Sequence, residues 1–373
     1  MAYPAGMDLE SITSVLRELA PEHLAEPWDS VGLQVGWKGH DVDRAMICID
    51  LTEPVLEEAI EQRADLVVAY HPPIFKPLSA LTDRDGKQRI VLRAARAGIA
   101  IYSPHTALDA AEGGVNDWLA AGIGEGTLRP IKPTAGSRSY KLVVFVPPGE
   151  ADNLRKRLSD AGAGQIGHYS ECSFSTPGEG TFRGDETTSP AVGEAERFER
   201  AEELRMEMLL PEAKIADVVA ALRFHHPYEE PAFDLIPLAQ TDTLPTGPGR
   251  VLELDEPIDL DTLVERVRER LGAKYLDVGE PVRGGPIRRV GMCPGAGGSM
   301  LPDAGPLDAY LTGEMRHHDI LAATQANTAI LLAGHTETER PYLPTYRQRI
   351  IEKLGEDVTW TLSERDAPPS TIR

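Results

Sequence analysis

The sequence predicts a layered α/β domain built in two parts, with a ferredoxin-like α+β domain inserted between them. In the first and last thirds of the 373 residues, short apolar runs alternate with helical patterns, which predicts a largely parallel sheet. The middle third repeats one strand–helix unit. Clusters of Pro, Gly and Ser near 129–139 and 241–250 separate the parts. We therefore expect domain parts at 1–132, 137–240 and 245–373.

In the first part, helices and buried strands follow one another in a regular order. Residues 8–20 have apolar side chains at helical spacing, and Asp8 is a suitable N-cap. The run AMICIDLT lacks polar alternation, which is typical of a buried strand. The same reasoning predicts further helices at 53–64 and 89–100, and further strands at 65–72 and from 101.

The middle part contains two similar units, at 140–162 and 202–224. Each begins as a strand and continues as a helix, with Pro148 and Pro211 near the helix starts. A further strand follows each unit, and two such units in succession predict a ferredoxin-like sandwich. The polar, Gly-rich stretch 176–201 is expected to be a loop with short strands.

The α/β pattern resumes in the last part. Helices are predicted at 258–272, 318–328 and 342–355, and strands at 288–295, 307–315 and from 329. The tail from 364 is expected to be frayed.

Composition excludes several classes of function. The formal net charge of −21 predicts no binding to nucleic acid. The chain has no apolar run of about 18 residues, so no membrane-spanning helix is expected. The N-terminus does not resemble a secretory signal, and three cysteines without a CxxC pattern indicate reduced thiols. A cytoplasmic protein is expected.

Three polar clusters follow apolar strands. They are Tyr70-His71, the pair His105 and Asp109, and the pair His335 and Glu339. Ligands gather at such strand ends in open α/β sheets. Each pair has i, i+4 spacing, which on a helical turn directs both side chains the same way. Imidazole with carboxylate suits zinc, iron or manganese, so a shared divalent-metal site is one interpretation.

The alternative interpretation is structural. His71 could be a hydrogen-bonded residue near a strand end, Asp109 a helix cap and Glu339 a solvated turn residue. Spacing alone leaves both interpretations open.

Four other features are weaker candidates. The Gly-rich GAGGSM stretch could bind an anion through amides near Gly297 and Gly298, although a tight turn is favoured. For HHPYEEP (225–231) a turn or interface role is favoured. Cys293 lacks the partner spacing of a nucleophile, and His318 could face the metal cleft from a helix start.

Six motifs in order resemble the Nif3-like family, also called type 2 GTP cyclohydrolase I homologues. They span about 8–355 and read EPWDSVGLQVG, AYHPPIF, SPHTALDAAEGGVND, HHPYEEPAFDLIPL, LTGEMRHHD and GHTETERP. The resemblance implies a two-part α/β metal domain interrupted by a PII/CutA-like insertion. It also implies homohexameric toroids with a two-metal site in each subunit.

By this resemblance the metal ligands would be His71, Asp109, His335 and Glu339, with His105 beside the metals. The sequence departs from the family where HHP is Tyr70-His71-Pro72 and where TGD is TGE at 312–314. Phenol is a poor ligand for zinc at neutral pH. Either one ion binds weakly, or Tyr70 coordinates as phenolate, or one ion is lost, so one or two metals per subunit are expected.

The resulting hypothesis is a metal-dependent hydrolase acting on a small phosphorylated or nucleotide-like substrate. His105 or His318 would move protons, and the ion would activate water. The alternative is a non-catalytic assembly or regulatory protein, whose inserted domain senses a ligand or partner.

Overall fold

The computed structural model describes residues 6–134, 139–167, 169–239 and 246–370. The chain divides into two compact units. One comprises Met1–Thr134 with Leu244–Arg373, and the other comprises Ala135–Thr243. We call them the main unit and the inserted unit.

The first segment of the main unit contains seven strands and five helices. The strands are β1 Met7–Asp8, β2 Gly32–Val35, β3 Asp41–Val42, β4 Arg44–Cys48, β5 Leu66–Ala69, β6 Ala100–Ser103 and β7 Gly126–Pro130. The helices are α1 Leu9–Leu19, α2 Glu53–Glu61, α3 Gly86–Ala97, α4 His105–Ala110 and α5 Val115–Ile123. As expected, the Asp8 side chain caps α1, because it accepts from the Ser11 amide.

The inserted unit contains β8 Ser139–Val146, α6 Ala151–Asp160, β9 Ser173–Phe182, β10 Glu199–Pro211, α7 Ile215–His225 and β11 Phe233–Pro237. Its antiparallel sheet has the order β11-β8-β10-β9. This order and the two helices make the ferredoxin-like fold that the sequence predicts. The expectation of a loop with short strands at 176–201 is wrong at both ends, because β9 continues to Phe182 and β10 begins at Glu199, its register partner.

The second segment of the main unit contains β12 Arg250–Ile258, α8 Leu260–Leu271, β13 Asp277–Gly279, β14 Ile287–Cys293, β15 Ala309–Thr312, α9 His317–Gln325, β16 Ala329–Leu332, α10 Leu343–Leu354 and β17 Thr359–Leu362. Short 3-10 helices lie at Glu22–Leu24, Pro148–Glu150, Glu212–Lys214 and Arg340–Tyr342, and a longer one spans Gly297–Ala304. None of the helices in the described ranges has the length and apolar character that a bilayer crossing requires.

Two mixed sheets form the main unit, rather than one largely parallel sheet. The first has the order β17-β4-β5-β6-β2, and the second β13-β16-β15-β14-β12-β7. In the first, β17, β4, β5 and β6 run parallel, and β2 is antiparallel. In the second, only β14, β15 and β16 run parallel. The antiparallel strands at the edges were not predicted.

Helices cover both faces of the first sheet. Alternate residues of β4 and β5 pack toward opposite faces, as the pleat requires: Ile47 and Val68 belong to one buried cluster, whereas Met46 and Val67 belong to another. The first cluster includes residues of α1 and α10, and the second includes residues of α2 and α3. Burial on both faces explains why these strands read as continuous apolar runs.

Candidate metal centre

Three parallel strands of the first sheet end in polar residues at one edge. Asp50 follows β4, Tyr70 and His71 follow β5, and His105 follows β6. The pairing of β5 with the segment after β4 extends beyond the strand, because the Tyr70 amide donates to Cys48 at 2.8 Å and the His71 amide to Ile49 at 3.0 Å. The sheet therefore fixes the backbone that carries His71.

His71, His335 and Glu339 converge, although they lie far apart in sequence. One ligand atom from each lies within 4.8 Å of the others. The Nε2 atom of His71 is 3.3 Å from one Glu339 oxygen, and the Nε2 atom of His335 is 3.6 Å from the other. The Glu339 side chain is only 4% exposed. Two imidazoles and a carboxylate are ligands that zinc, iron and manganese accept.

Two facing polar atoms in this group lack hydrogen-bond partners. His71 Nε2 and Glu339 Oε2 are buried, and neither forms a hydrogen bond of acceptable geometry with any described residue. Leaving such groups unpaired costs about 1–3 kcal/mol each, and more when they are charged. A cation bound between them would satisfy both, so the residues present fit a divalent metal.

Each of the two imidazoles has a carboxylate hydrogen-bonded to its Nδ1 atom, on the side of the ring away from Nε2. Asp50 bonds to Nδ1 of His71 at 2.9 Å, and Glu314 bonds to Nδ1 of His335 at 3.1 Å. Metal-binding histidines characteristically donate their second ring N–H to such a partner, which leaves Nε2 free for the ion. Glu314 thus occupies the acidic position of the altered TGE motif and still reaches the imidazole.

Gly295 keeps open the space beside the ligand atoms. Its φ is +61°, and a Cβ there would lie 2.5 Å from Glu339 Oε1 and 3.2 Å from His335 Nε2. Its amide donates to the Thr338 hydroxyl at 2.9 Å, which ties it to the turn that carries both ligands. Any larger residue would intrude on the position that an ion would take.

The site carries excess negative charge. Burial alone would lower the pKa of His71, but the hydrogen bond to Asp50 and the nearby carboxylates of Asp50 and Glu339 raise it to about 10. The carboxylates around His71 therefore favour a positive charge at this point.

Asp109 lies near this group but outside it, bonded to Tyr70. The Tyr70 hydroxyl donates to Asp109 Oδ1. Burial and the charges of Asp109 and Glu339 raise the pKa of Tyr70 well above its usual value. Burial also raises the pKa of Asp109, to about 6, against the opposing effect of His105. Tyr70 is therefore a hydrogen-bond donor to the carboxylate, with the phenolate strongly disfavoured.

His105 stands beside His71, with ring centroids 5.3 Å apart. Its Nδ1 bonds to Asp29 Oδ1 at 2.7 Å, and the second Asp29 oxygen accepts from the amide and hydroxyl of Thr106. Burial raises the pKa of Asp29, but the bonds from His105 and Thr106 bring it below the usual value. Because Asp29 accepts the Nδ1 proton, Nε2 of His105 is left to accept another.

His318 is the one predicted catalytic residue that the structure does not bring to this group. It is exposed at the start of α9, and the centroid of its ring is 5.5 Å from that of His317. Its catalytic role therefore stays a prediction without geometric support.

The weaker candidates have structural partners. Gly297 is the first residue of a 3-10 helix, and its carbonyl accepts a hydrogen bond from the Tyr310 hydroxyl at 2.7 Å. In HHPYEEP, His226 accepts from the Tyr228 amide and bonds to the Phe145 carbonyl at 3.0 Å, as a turn residue does. Burial raises the pKa of Cys293, which disfavours a thiolate nucleophile.

The C-terminal tail is held in place close to Asp50 as far as Asp366, so the expectation that it frays from 364 is wrong at its start; residues 371–373 lie outside the described residues. Asp366 accepts from the Ile49 amide at 2.6 Å and pairs with Arg340. The hydroxyl of Ser363 and the amides of Glu364 and Arg365 donate to Glu58. These bonds tie the tail to the end of β4 through Ile49 and to α2 through Glu58.

Comparison with known proteins decides the family. The family model of Duf34/NIF3 (NGG1p interacting factor 3) matches residues 7–369. The chain belongs to this family. NIF3-like protein 1 from Bos taurus is 34% identical over 375 residues, covering 97% of this chain and 92% of that protein. The GTP cyclohydrolase 1 type 2 homolog of Halalkalibacterium halodurans is 36% identical over 348 residues, covering 92% and 91%.

A solved structure agrees over the full length. The crystal structure of a Bacillus cereus protein related to NIF3 has a TM-score of 0.74 and 33% identity, with 100% of both chains covered. The resemblance inferred from six motifs and the predicted fold class are thereby confirmed. The member of the NIF3 family described here carries a His/Glu group suited to a divalent metal.

Sequence reasoning missed three carboxylates of the site. Asp29 lies inside a quoted motif, and Glu314 lies in another, but neither was assigned a role. Asp50 could have been found, because it directly follows a buried strand that neighbours the one before His71.

Proposed function

We propose that this protein is a metal-dependent hydrolase that acts on a small phosphorylated or nucleotide-like substrate. His71, His335 and Glu339 would hold one divalent ion, and Asp109 would line the site. The supporting observation is the pair of facing, buried, unpartnered atoms on His71 and Glu339, 3.3 Å apart.

The proposed site would carry one ion, because the Tyr70 hydroxyl donates a hydrogen bond to one oxygen of Asp109. When bound, a divalent metal supplies Lewis-acid chemistry and lowers the pKa of water to about 7. Three protein ligands leave coordination positions open, as catalytic sites require.

The chain's own residues would handle the proton. Asp29 holds His105 in the tautomer with a free Nε2, since it accepts the Nδ1 proton at 2.7 Å. His105 lies next to His71 and so within reach of water at the same site. His105 would take a proton from the attacking water and return it to the leaving group.

The substrate class rests on the family. Curated relatives are named GTP cyclohydrolase 1 type 2 homologs, which makes GTP one substrate to test. We propose hydrolysis as the reaction class, with nucleotides and phosphoesters as the panel. We propose with it a homohexamer, which the family resemblance implies, and a cytoplasmic location, which the composition predicts; mass photometry tests the assembly.

Glu339→Gln tests the metal site directly. The substitution keeps the size of the side chain but removes the charge that faces His71 Nε2, so bound zinc should fall at least about tenfold. Metal content is measured by plasma mass spectrometry after dialysis against equimolar zinc, iron or manganese. Glu337→Gln is the matched control, because it changes a partly exposed acid two residues away.

Activity is tested separately on the metal-loaded protein. Turnover on the panel should require metal and should disappear in Asp109→Ala. Equal metal content in Glu339→Gln and Glu337→Gln would refute the proposed ligand set. Full metal loading without turnover on any member of the panel would refute the hydrolase.

A further inference from the structure

A cavity of about 610 Å³ lies in the inserted unit, and every residue that lines it belongs to that unit. Its volume is in the range of small-molecule sites. Strands β9 and β10, the Tyr228–Ala232 turn and the segment 184–192 contribute its walls. Nothing in the metal chemistry above uses it.

The cavity lies on the face of the sheet opposite to α6 and α7. Val144 and Met206 pack with residues of these helices in the core. Their strand neighbours Phe145 and Arg205, which are register partners, therefore point to the other face. Both line the cavity.

Apolar side chains form much of the wall. They belong to two phenylalanines, two prolines and three small aliphatic residues: Phe145, Phe182, Pro177, Pro190, Ala191, Val192 and Ala232. Such a wall takes the apolar body of a ligand and removes its surface from water.

Glu203 is one of the charged groups of the wall that have no ion-pair partner among the described residues, together with Glu229, Glu230 and Arg183. Glu203 is the register partner of Gly178 in β9. A Cβ on Gly180 of the same strand would collide with the Glu203 carboxylate, so glycine at this position leaves space for that side chain. Among the described residues Glu203 forms no ion pair, whereas Arg205 pairs with Glu207 at 2.8 Å. An unpaired carboxylate beside apolar walls favours a cation.

Tyr228 supplies a second polar group. Burial and the nearby Glu203 carboxylate raise the pKa of its phenol to about 12. The two groups are close, but their geometry does not make a hydrogen bond, and the buried hydroxyl has no partner among the described residues. It is available to a ligand atom next to Glu203.

We propose that this cavity binds a small organic cation, in which an amine or guanidinium is attached to an aromatic or aliphatic body. The cationic nitrogen would donate to Glu203, and the body would pack against Phe145 and Phe182. Four glutamates and two arginines line the cavity, so its formal charge is −2 (two minus four). An anionic ligand would be repelled.

Binding is tested on the full chain by isothermal titration calorimetry, with EDTA present so that the metal site takes no part. The probes are phenethylamine, agmatine and putrescine, and phenethyl alcohol is the uncharged counterpart of the first. At least one amine should bind saturably at millimolar concentrations, and phenethyl alcohol should bind at least about tenfold more weakly than phenethylamine.

Variants locate the binding. Glu203→Gln should weaken amine binding at least about tenfold, because it removes the charge and keeps the shape. Glu150→Gln, an exposed acid of the same unit outside the cavity, should leave it unchanged. Circular dichroism confirms that both variants fold. Absence of saturable binding by all three amines, equal binding of the alcohol, or equal affinity of the two variants would each overturn the proposal.

Discussion

Tyr70 stands where the family has histidine, and Tyr70→Phe tests what its hydroxyl does. The hydroxyl donates to Asp109. Burial raises the pKa of Asp109 to about 6, and this pKa would be higher still without the hydrogen bond from Tyr70. Removing the hydroxyl should therefore make the ionised form of Asp109 more costly. The perturbation acts on the protonation of one buried group and leaves the hydrophobic ring in place.

The magnitude follows from the bond. A hydrogen bond to a charged group contributes about 1.5–3 kcal/mol, and each pKa unit corresponds to about 1.4 kcal/mol. The pKa of Asp109 should then rise by about one to two units, to about 7–8. At pH 8.5 the variant should be about 2 kcal/mol less stable than the parent. Near pH 5 Asp109 is protonated in both, and the loss should be about 1 kcal/mol or less.

The direction of the pH dependence follows from proton linkage. The pKa of Asp109 is higher in the folded state than the ordinary 3.8, so folding favours the protonated form. Its contribution to stability falls as pH rises from about 4 to about 6 in the parent, and then stays constant. In Tyr70→Phe the fall should continue to about pH 7–8, so the difference between the two proteins grows over that interval.

Thermal unfolding of metal-free protein measures the effect at pH 5, 6, 7 and 8.5. A loss of about 2 kcal/mol should lower the Tm of the main unit by about 4–8 °C at the highest pH. Tyr102→Phe is the matched control. Its hydroxyl is buried in the adjacent strand and has no hydrogen-bond partner among the described residues. It should change Tm little, and equally at every pH. A Tm difference for Tyr70→Phe that does not vary with pH would refute the reasoning.

Three further predictions concern the same unit. Tyr70→His should raise bound metal from one toward two ions per chain, measured by plasma mass spectrometry; an unchanged ratio would mean that position 70 does not set stoichiometry. Asp366→Asn should lower Tm by several degrees through lost bonds to Ile49 and Arg340, whereas Asp357→Asn, an exposed residue, should not. Replacing 135–245 by a short Gly-Ser linker should leave metal affinity within about twofold in calorimetry, because Thr134 already bonds to Thr246 at 3.1 Å; loss of metal binding or aggregation would contradict it.

The sequence predicts those elements whose pattern is local. The apolar runs before Asp50, His71 and His335 are buried on both faces, so composition alone marks them as strands. The helix at 9–19 has both an amphipathic pattern and a capping Asp8. The antiparallel edge strands cannot be predicted in this way. Strand β7 is largely exposed, and its pairing with β12 joins residues more than 100 positions apart, which no local pattern encodes.

The candidate site was predictable in its ligands but not in its supporting carboxylates. His335 and Glu339 share one turn, so their spacing carries a signal. Asp29 reaches His105 across 76 positions, and Glu314 reaches His335 across 21, so each contact depends on which strands the fold places side by side, β2 beside β6 and β15 beside β16. The Tyr70–Asp109 hydrogen bond likewise depends on tertiary structure. The sequence shows a phenol where the family resemblance implies a ligand, but only the fold shows which oxygen accepts its proton.

Two departures from the family pattern therefore have different physical consequences. At position 314 a longer acid replaces the shorter one, and the carboxylate still reaches the imidazole it supports, so the role of the group is kept. At position 70 a neutral phenol stands where the family resemblance implies an imidazole, and its hydroxyl donates to Asp109. The first change preserves the electrostatics behind His335. The second puts a donor to Asp109 where the family resemblance implies a metal-binding nitrogen, and we therefore propose that position 70, and not 314, determines how many ions the protein holds.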